Sequence, residues 1–345
     1  MHTRSAVMDR QSRLRELGLR PVADPTASRL TRVGRWSWRI DAALPAMGTR
    51  VAITAIARSS ARLEEAVGRA FAEMDRLIAI FTRFETDSAL SVLNDAGRLD
   101  RPPVELARAL ARAARYHRLT RGAFDVSVAP LVELFDPGTG RRPTRPPTAA
   151  EIAEARAVTG TGHVQASERG IRFSREGMRV TTDGIAKGFI VDAMAAVLEA
   201  GGVRRYLVDG GGDIRTRGRA EGRRPWTIAV RDPDDPSSFL DAVRPGRGAV
   251  ATSGGYERRF AGPYHHLVDG ASGTSPRTVR SVSVRAPNAT DADALATAAF
   301  ILGPTEGVAL IDDLADCACL VIDRDGRRHT SRGWKSAPLD LDATE

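Results

Sequence analysis

The chain has 345 residues, is 42% hydrophobic and 27% charged, and carries a formal net charge of +8 at pH 7. Such values exclude a disordered or fibrous polymer and describe a globule long enough to bury a sizeable core. Its 51 basic residues are interspersed with 43 acids and no nucleic-acid-binding signature accompanies them, so the charge suits a phosphorylated small molecule better than DNA or RNA.

In chain order, residues 1–38 are expected to form a flexible, Arg-rich N-terminal extension. It has neither an apolar h-region nor a lipid-attachment cysteine, so the expectation is a cytoplasmic protein with no transmembrane segment. Residues 39–335 are expected to form a single catalytic domain, and 336–345 a C-terminal tail. "RVAITAIA" (50–57) alternates as a strand, while apolar residues at three- and four-residue spacing predict a helix over 62–81. A second helix is predicted over 103–120 with Gly122 as its stop, and 122–135 as a strand-like or irregular, half-buried segment. Residues 136–150 hold four Pro and two Gly and form a surface loop. "TAAEIAEARAVTG" then resembles a capped helix, and strands are predicted near "IRFS" and "RVTT".

A helix is predicted from 185 to about 200, closed by Gly201 and Gly202. The second half is strand-rich, with strands predicted in "VRRYLVDGGGDIRTRG", "PWTIAVRDP", "GAVATSGGYERRF", "YHHLVDGASG", "TVRSVSVRAP" and "ACLVIDRDG", interrupted by a helix over 290–303. This intermixing predicts an α+β, or mixed α/β, fold. Cys317 and Cys319 lie two apart on one strand face, as core side chains rather than a bridged pair.

Three segments carry candidate chemistry. Lys187 sits between Gly184 and Gly188 in a first helical turn, where a cation opposes the helix dipole unless an anion lies nearby. A packing glycine with a snorkelling lysine explains the same residues. Asp293 and Thr297 are four apart on a predicted helix face, a hard-oxygen pair suited to Mg²⁺, although first-turn capping also places acids there. In "YHHLVDGASG" two adjacent histidines alternate faces, so at most one of His265 and His266 can serve as an acid or base.

Eight stretches in order resemble the FAD:protein FMN transferase family, also called ApbE. They are "PAMGT" (45–49), "FTRFETDSALSVLND" (81–95), "GAFDVSVAPL" (122–131), "DGIAKGFIVD" (183–192), "LVDGGGDI" (207–214), "VATSGGYERRF" (250–260), "YHHLVDGASG" (264–273) and "ATDADALATAAFILG" (289–303). The resemblance implies an ApbE-like fold and Mg²⁺-dependent transfer of FMN from FAD to a Thr or Ser hydroxyl of an acceptor flavoprotein, with AMP leaving. Two other activities share that site: FAD pyrophosphatase action giving FMN and AMP, and FAD binding without catalysis. By resemblance, Met47 and Phe84 contact the flavin end of FAD, and Ala123, Phe124 and Asp125 contribute to the pocket. Thr181, Lys187, His266 and Leu267 line the rest, with Lys187 and His266 as catalytic candidates. Asp293 and Thr297 supply metal-ligating side chains, and Gly184 and Ala296 backbone oxygens. The family usually reads D-L-G-G-I-A-K-G where this chain has Thr181-Thr182-Asp183-Gly184-Ile185-Ala186-Lys187-Gly188. An acid is thus replaced at 181, and one appears at 183.

Overall fold

The computed structural model describes residues 28–136, 145–235, 237–256, 260 and 264–338. Its strands begin with β1 (Ser28–Gly34), β2 (Ser37–Ala46), β3 (Thr49–Ala57), β4 (Arg98–Asp100), β5 (Val164–Ser167), β6 (Gly170–Phe173) and β7 (Arg205–Asp209). There follow β8 (Ile214–Arg217), β9 (Ile228–Arg231), β10 (Phe239–Val243), β11 (Ala249–Gly254), β12 (Val279–Ala286), β13 (Ala318–Asp323) and β14 (Arg328–Thr330). The helices are α1 (Ser60–Phe81), α2 (Ala89–Ala96), α3 (Val104–Leu119), α4 (Ala129–Phe135), α5 (Ala149–Ala157), α6 (Ala186–Ala200) and α7 (Ala289–Asp312).

Nine strands pair in the order β1-β2-β3-β7-β8-β11-β12-β13-β14, every neighbour antiparallel. Two small sheets, β9–β10 and β4–β6–β5, complete an α+β architecture. Behind the main sheet, α1 packs on α6, α6 on α7, and α7 on β11, β12 and β13. The inward face of α1 carries Leu63, Val67, Phe71, Met74, Leu77 and Phe81, all buried, which is why its apolar period was readable. Thr148 and Glu151 form a reciprocal capping box at the start of α5, as its sequence suggests.

Five expectations need correction. Residues 28–38 belong to the β1–β2 hairpin rather than to an extension, because β2 supplies β1 with a ladder from Ser28 to Gly34. At the other end, Ser336 bridges Val243 and its hydroxyl donates to Asp241 at 2.7 Å, so the tail is anchored at its start. The extension before residue 28, loop residues 137–144 and the tail from 339 lie outside the described residues. Residues 122–135 are not a strand: Asp125 caps a 3₁₀ turn over 126–128 through Ser127 N at 2.7 Å, and Pro130 then opens α4. "RVTT" fails as a strand because Asn94 takes both the N–H (2.7 Å) and the C=O (2.9 Å) of Val180, leaving no ladder. "YHHLVDGASG" is a loop closed by an Asp269–Thr274 bridge.

The helix expected over 290–303 does end there, and a second helical segment follows it directly. Gly303 is non-helical (φ 84°, ψ −179°), Pro304 opens the second segment, and α7 comprises both as far as Asp312. Among the described residues α7 alone is long and apolar enough to cross a membrane, but half of its apolar window is buried inside the fold. With the sheet on one side, α6 on another and Asp293 within it, α7 is a core helix.

The approach of α6 to α7 depends on one glycine. A Cβ on Gly188 would lie 2.7 Å from the carbonyl carbon of Ala289 and 2.9 Å from Asp293 Cβ. Both are too rigid to move cheaply, so Gly188→Ala is expected to cost about 2–3 kcal/mol by overpacking. Urea unfolding of the two proteins checks this; an unchanged midpoint would show that the helices can part without penalty.

Candidate active site

Two adjoining cavities, of about 1120 Å³ and about 80 Å³, lie around the N-terminus of α6. Asp183, Lys187, Thr252 and His266 line both. Met47 and Phe84 line the larger one, and Ala123, Phe124, Asp125, Thr181, Gly184, Leu267, Asp293 and Thr297 the smaller. The structure therefore brings together every candidate except Ala296, which is buried inside α7 and lines neither cavity.

Lys187 is accompanied by carboxylates of the chain itself. Its Nζ lies 2.9 Å from Oδ2 of Asp213, a residue only 1% exposed in the turn between β7 and β8. No side chain caps α6 at Ile185, and the amide of Gly188 donates to Asp293 Oδ2 at 3.0 Å. Two internal anions thus balance the cation and helix dipole for which the sequence suggested a bound phosphate. Burial pushes the carboxyl of Asp213 above its ordinary range while Lys187 opposes the shift. Asp209 is raised by the same cause, and its Oδ1 accepts from the amides of Gly211 and Gly212 at 2.9 Å each.

Asp293 does not cap its own helix. Asn288 does that, accepting from Asp291 N at 2.9 Å. Asp192 of α6 accepts from Ala289 N (2.9 Å), Thr290 N (2.9 Å) and Thr290 Oγ1 (2.6 Å), tying the start of α7 to α6. One turn beyond that clamp, Asp293 and Thr297 face the small cavity together. Thr297 Oγ1 lies 3.4 Å from Ser253 Oγ, and a Cβ on Gly184 would come within 3.2 Å of Thr297 Oγ1 and 3.3 Å of Phe124. Gly184 thus leaves an opening that any side chain would fill. One carboxylate, two hydroxyls and nearby backbone form a sparse hard-oxygen set, which fits Mg²⁺ completed by water or phosphate oxygens. No group of three His, Cys, Asp or Glu suited to a metal occurs among the described residues.

Of the two histidines, His265 is structural. It is buried, with Nε2 3.0 Å from the carbonyl of Pro276 and Nδ1 accepting from Leu267 N at 3.3 Å. His266 lines both cavities. Asp125 spends its acceptors locally: Oδ1 takes Ser127 N (2.7 Å) and Thr161 Oγ1 (2.7 Å), and His117 Nδ1 lies 3.6 Å from Oδ2. Met47 and Gly48 form a two-residue hairpin turn between β2 and β3, both left-handed (φ 52° and 68°). A left-handed methionine costs about 1–2 kcal/mol, the kind of strain that accumulates at functional sites. Thr181 is buried and its Oγ1 accepts from Asp183 N at 3.2 Å, so the substituted threonine folds the helix-entry turn.

Sequence reading missed Asp213 and Arg83. Nothing in the glycine-rich "VDGGGD" reveals that its second aspartate turns inward to Lys187. Arg83 lines the large cavity between Asp183 and Asp136, at 3.6 and 3.8 Å, with its guanidinium 4.6 Å from the centre of the Phe84 ring.

Comparison with known proteins adds the decisive observation. The model of the ApbE family matches residues 47–321. The chain belongs to the ApbE family. It is 32% identical over 279 residues to the FAD:protein FMN transferase of Vibrio cholerae, covering 78% of this chain and 83% of that one. To the enzyme of the same name from Treponema pallidum it is 32% identical over 308 residues, 83% and 84% of the two chains. The crystal structure of the ApbE protein from Thermotoga maritima superposes with a TM-score of 0.77 at 29% identity, covering 85% of this chain and 97% of that one. The Vibrio cholerae flavin transferase ApbE gives 0.75 at 28%, covering 89% and 98%. The chain thus has the fold of the ApbE flavin transferases.

Proposed function

We propose that this chain is an Mg²⁺-dependent FAD:protein FMN transferase, which moves FMN from FAD to a Thr or Ser hydroxyl of an acceptor flavoprotein and releases AMP. The observation that carries this reading is the meeting of Lys187, His266, Asp293 and Thr297 where the two cavities join, in a member of the ApbE family. Asp293, Thr297 and the backbone at Gly184 would hold the metal. Bound there, Mg²⁺ would neutralise charge developing on pyrophosphate oxygens.

The chain's own residues do the rest. Lys187, held by Asp213, presents a positioned cation to the same phosphates without having to be ordered during the reaction. His266 is assigned as the base that takes the proton of the acceptor hydroxyl. That oxygen then bonds to the FMN phosphorus as the bond to the AMP phosphate breaks. Met47 and Phe84 provide the surface for the flavin ring.

Chromatography of FAD incubations with Mg²⁺, with and without an acceptor protein, tests the reading. AMP is expected to form in step with the acceptor supplied and to stop with EDTA. Equal AMP and free FMN without any acceptor would make the protein a pyrophosphatase, and FAD retained without AMP a binding protein.

A further inference from the structure

We infer that the open edge of β9 is where the acceptor flavoprotein docks, its target segment adding to that edge as an extended strand. The inference rests on the transferase reading above, in which a polypeptide hydroxyl must reach the place where the two cavities join. Among the described residues β9 has β10 as its sole partner strand. Asp232 N donates to Ser238 O at 3.0 Å beside that ladder, and the register sets Ala229 opposite Ala242. On the far side of β10, Ala242 O accepts from Ala337 N at 2.6 Å. Ala242 therefore turns its backbone away from β9, and its partner Ala229 turns away from β10. Arg231, two residues on and next to the bonded Asp232, does the same. The N–H and C=O groups of Ala229 and Arg231 thus point to the open edge.

This edge belongs to the reaction site. Residues 226–231 line the large cavity together with Lys187 and His266. Ile228 and Val230 anchor β9 in an apolar cluster with Val250 and Leu320 of the main sheet, which holds the edge in place. Asp41, Thr54 and Leu207 line the same cavity from the sheet face opposite the buried Ile53 and Val208. Asp41 is already satisfied there by Arg39 and by Thr54 Oγ1, at 2.8 Å each. At about 1120 Å³ the cavity exceeds the about 300–1,000 Å³ of small-ligand sites, which leaves room for a peptide segment beside a cofactor. A cofactor offers no run of alternating donors and acceptors at strand spacing, whereas a polypeptide does. Arg50 and Arg231 are exposed and line the cavity, so the matching segment carries acidic side chains.

The probe is a flavoprotein domain that the wild-type protein modifies, together with its variant in which the target Thr or Ser is Ala. Amide hydrogen exchange of Ala229 and Arg231 is expected to be fast in the free protein and at least about tenfold slower with the Ala-substituted acceptor, a protection that FAD and Mg²⁺ alone do not give. Slow exchange already in the free protein would mean that the chain covers this edge itself, and overturns the inference. Ala229→Pro removes one outward N–H without breaking a bond to β10. It is expected to raise the KM for the acceptor at least about tenfold and to leave the Kd for FAD within about twofold. Arg231→Glu is expected to raise that KM to a similar degree. Thermal midpoints near that of the wild type show that both variants fold, and the exchange measurement needs neither. Wild-type acceptor KM in either variant, or an equal loss of FAD affinity, overturns the inference. A wild-type protein that modifies no acceptor yet converts FAD to AMP overturns the functional reading and this inference with it.

Discussion

Asp293→Asn is expected to keep the fold and lose Mg²⁺-dependent turnover by about three orders of magnitude, the rate equivalent of about 4 kcal/mol of transition-state stabilisation. Asparagine can still accept the hydrogen bond that Gly188 N gives to Asp293 at 3.0 Å, so the junction of α6 and α7 is preserved. What goes is the carboxylate charge in the small cavity. Asp293→Ala removes both and leaves the buried Gly188 amide without its acceptor, which adds about 1–3 kcal/mol of destabilisation. Comparing the pair separates the two roles: the asparagine protein should melt near the wild type and be inactive, and the alanine protein should be inactive and less stable. An asparagine variant with wild-type turnover would remove Asp293 from the metal site.

Lys187→Met is expected to destabilise the protein by about 3–5 kcal/mol near neutral pH, because it strands the carboxylate of Asp213 in the interior. Asp213 is 1% exposed, and Lys187 Nζ at 2.9 Å is its compensating charge. The sign of the pH dependence follows from the raised carboxyl. A group that holds its proton more tightly when folded contributes stability below the ordinary carboxylate value, about 3.9, and loses it as pH climbs through the raised folded value. Removing Lys187 lifts that folded value further. The deficit of the variant should therefore be larger at pH 8 than at pH 5, and Lys187→Met/Asp213→Asn should recover most of it. Urea unfolding at the two pH values measures this; a deficit equal at both would mean that Asp213 is not charged beside Lys187.

Both experiments turn on contacts that differ in how visible they were from the sequence. The four-residue step from Asp293 to Thr297 is a property of any helix, and the resemblance of the surrounding segment supplied the metal. The apolar period of α1 and the capping box of α5 are likewise local, and both elements formed as expected. Lys187 was recognisable as a cation in need of an anion, but not its partner. Asp213 reaches it only because β7 and β8 carry their connecting turn to the start of α6. Local alternation misled at "RVTT", where a side chain on α2 takes the backbone bonds that a strand would share. It misled again after Gly122, where Asp125 capping and Pro130 outweigh the valines. Arg83 carried no signal, since the carboxylates it lies between, Asp136 and Asp183, are distant in sequence.

The same long-range packing explains why α7 reads as a membrane span by composition and serves as the inner scaffold of the site. The clamp from Asp192, the bare Cα of Gly188 and the Gly188–Asp293 hydrogen bond fix the face of α7 that carries Asp293 and Thr297. Small residues over the rest of the helix allow the close approach of α6 and the sheet.

Intact-mass spectrometry of a flavoprotein acceptor, after incubation with this protein, FAD and Mg²⁺, tests the central claim most directly. The account predicts an acceptor heavier by one FMN, with the added mass lost when its target Thr or Ser is replaced by Ala and absent when EDTA is included. An acceptor of unchanged mass while FAD is converted to AMP and free FMN would contradict it.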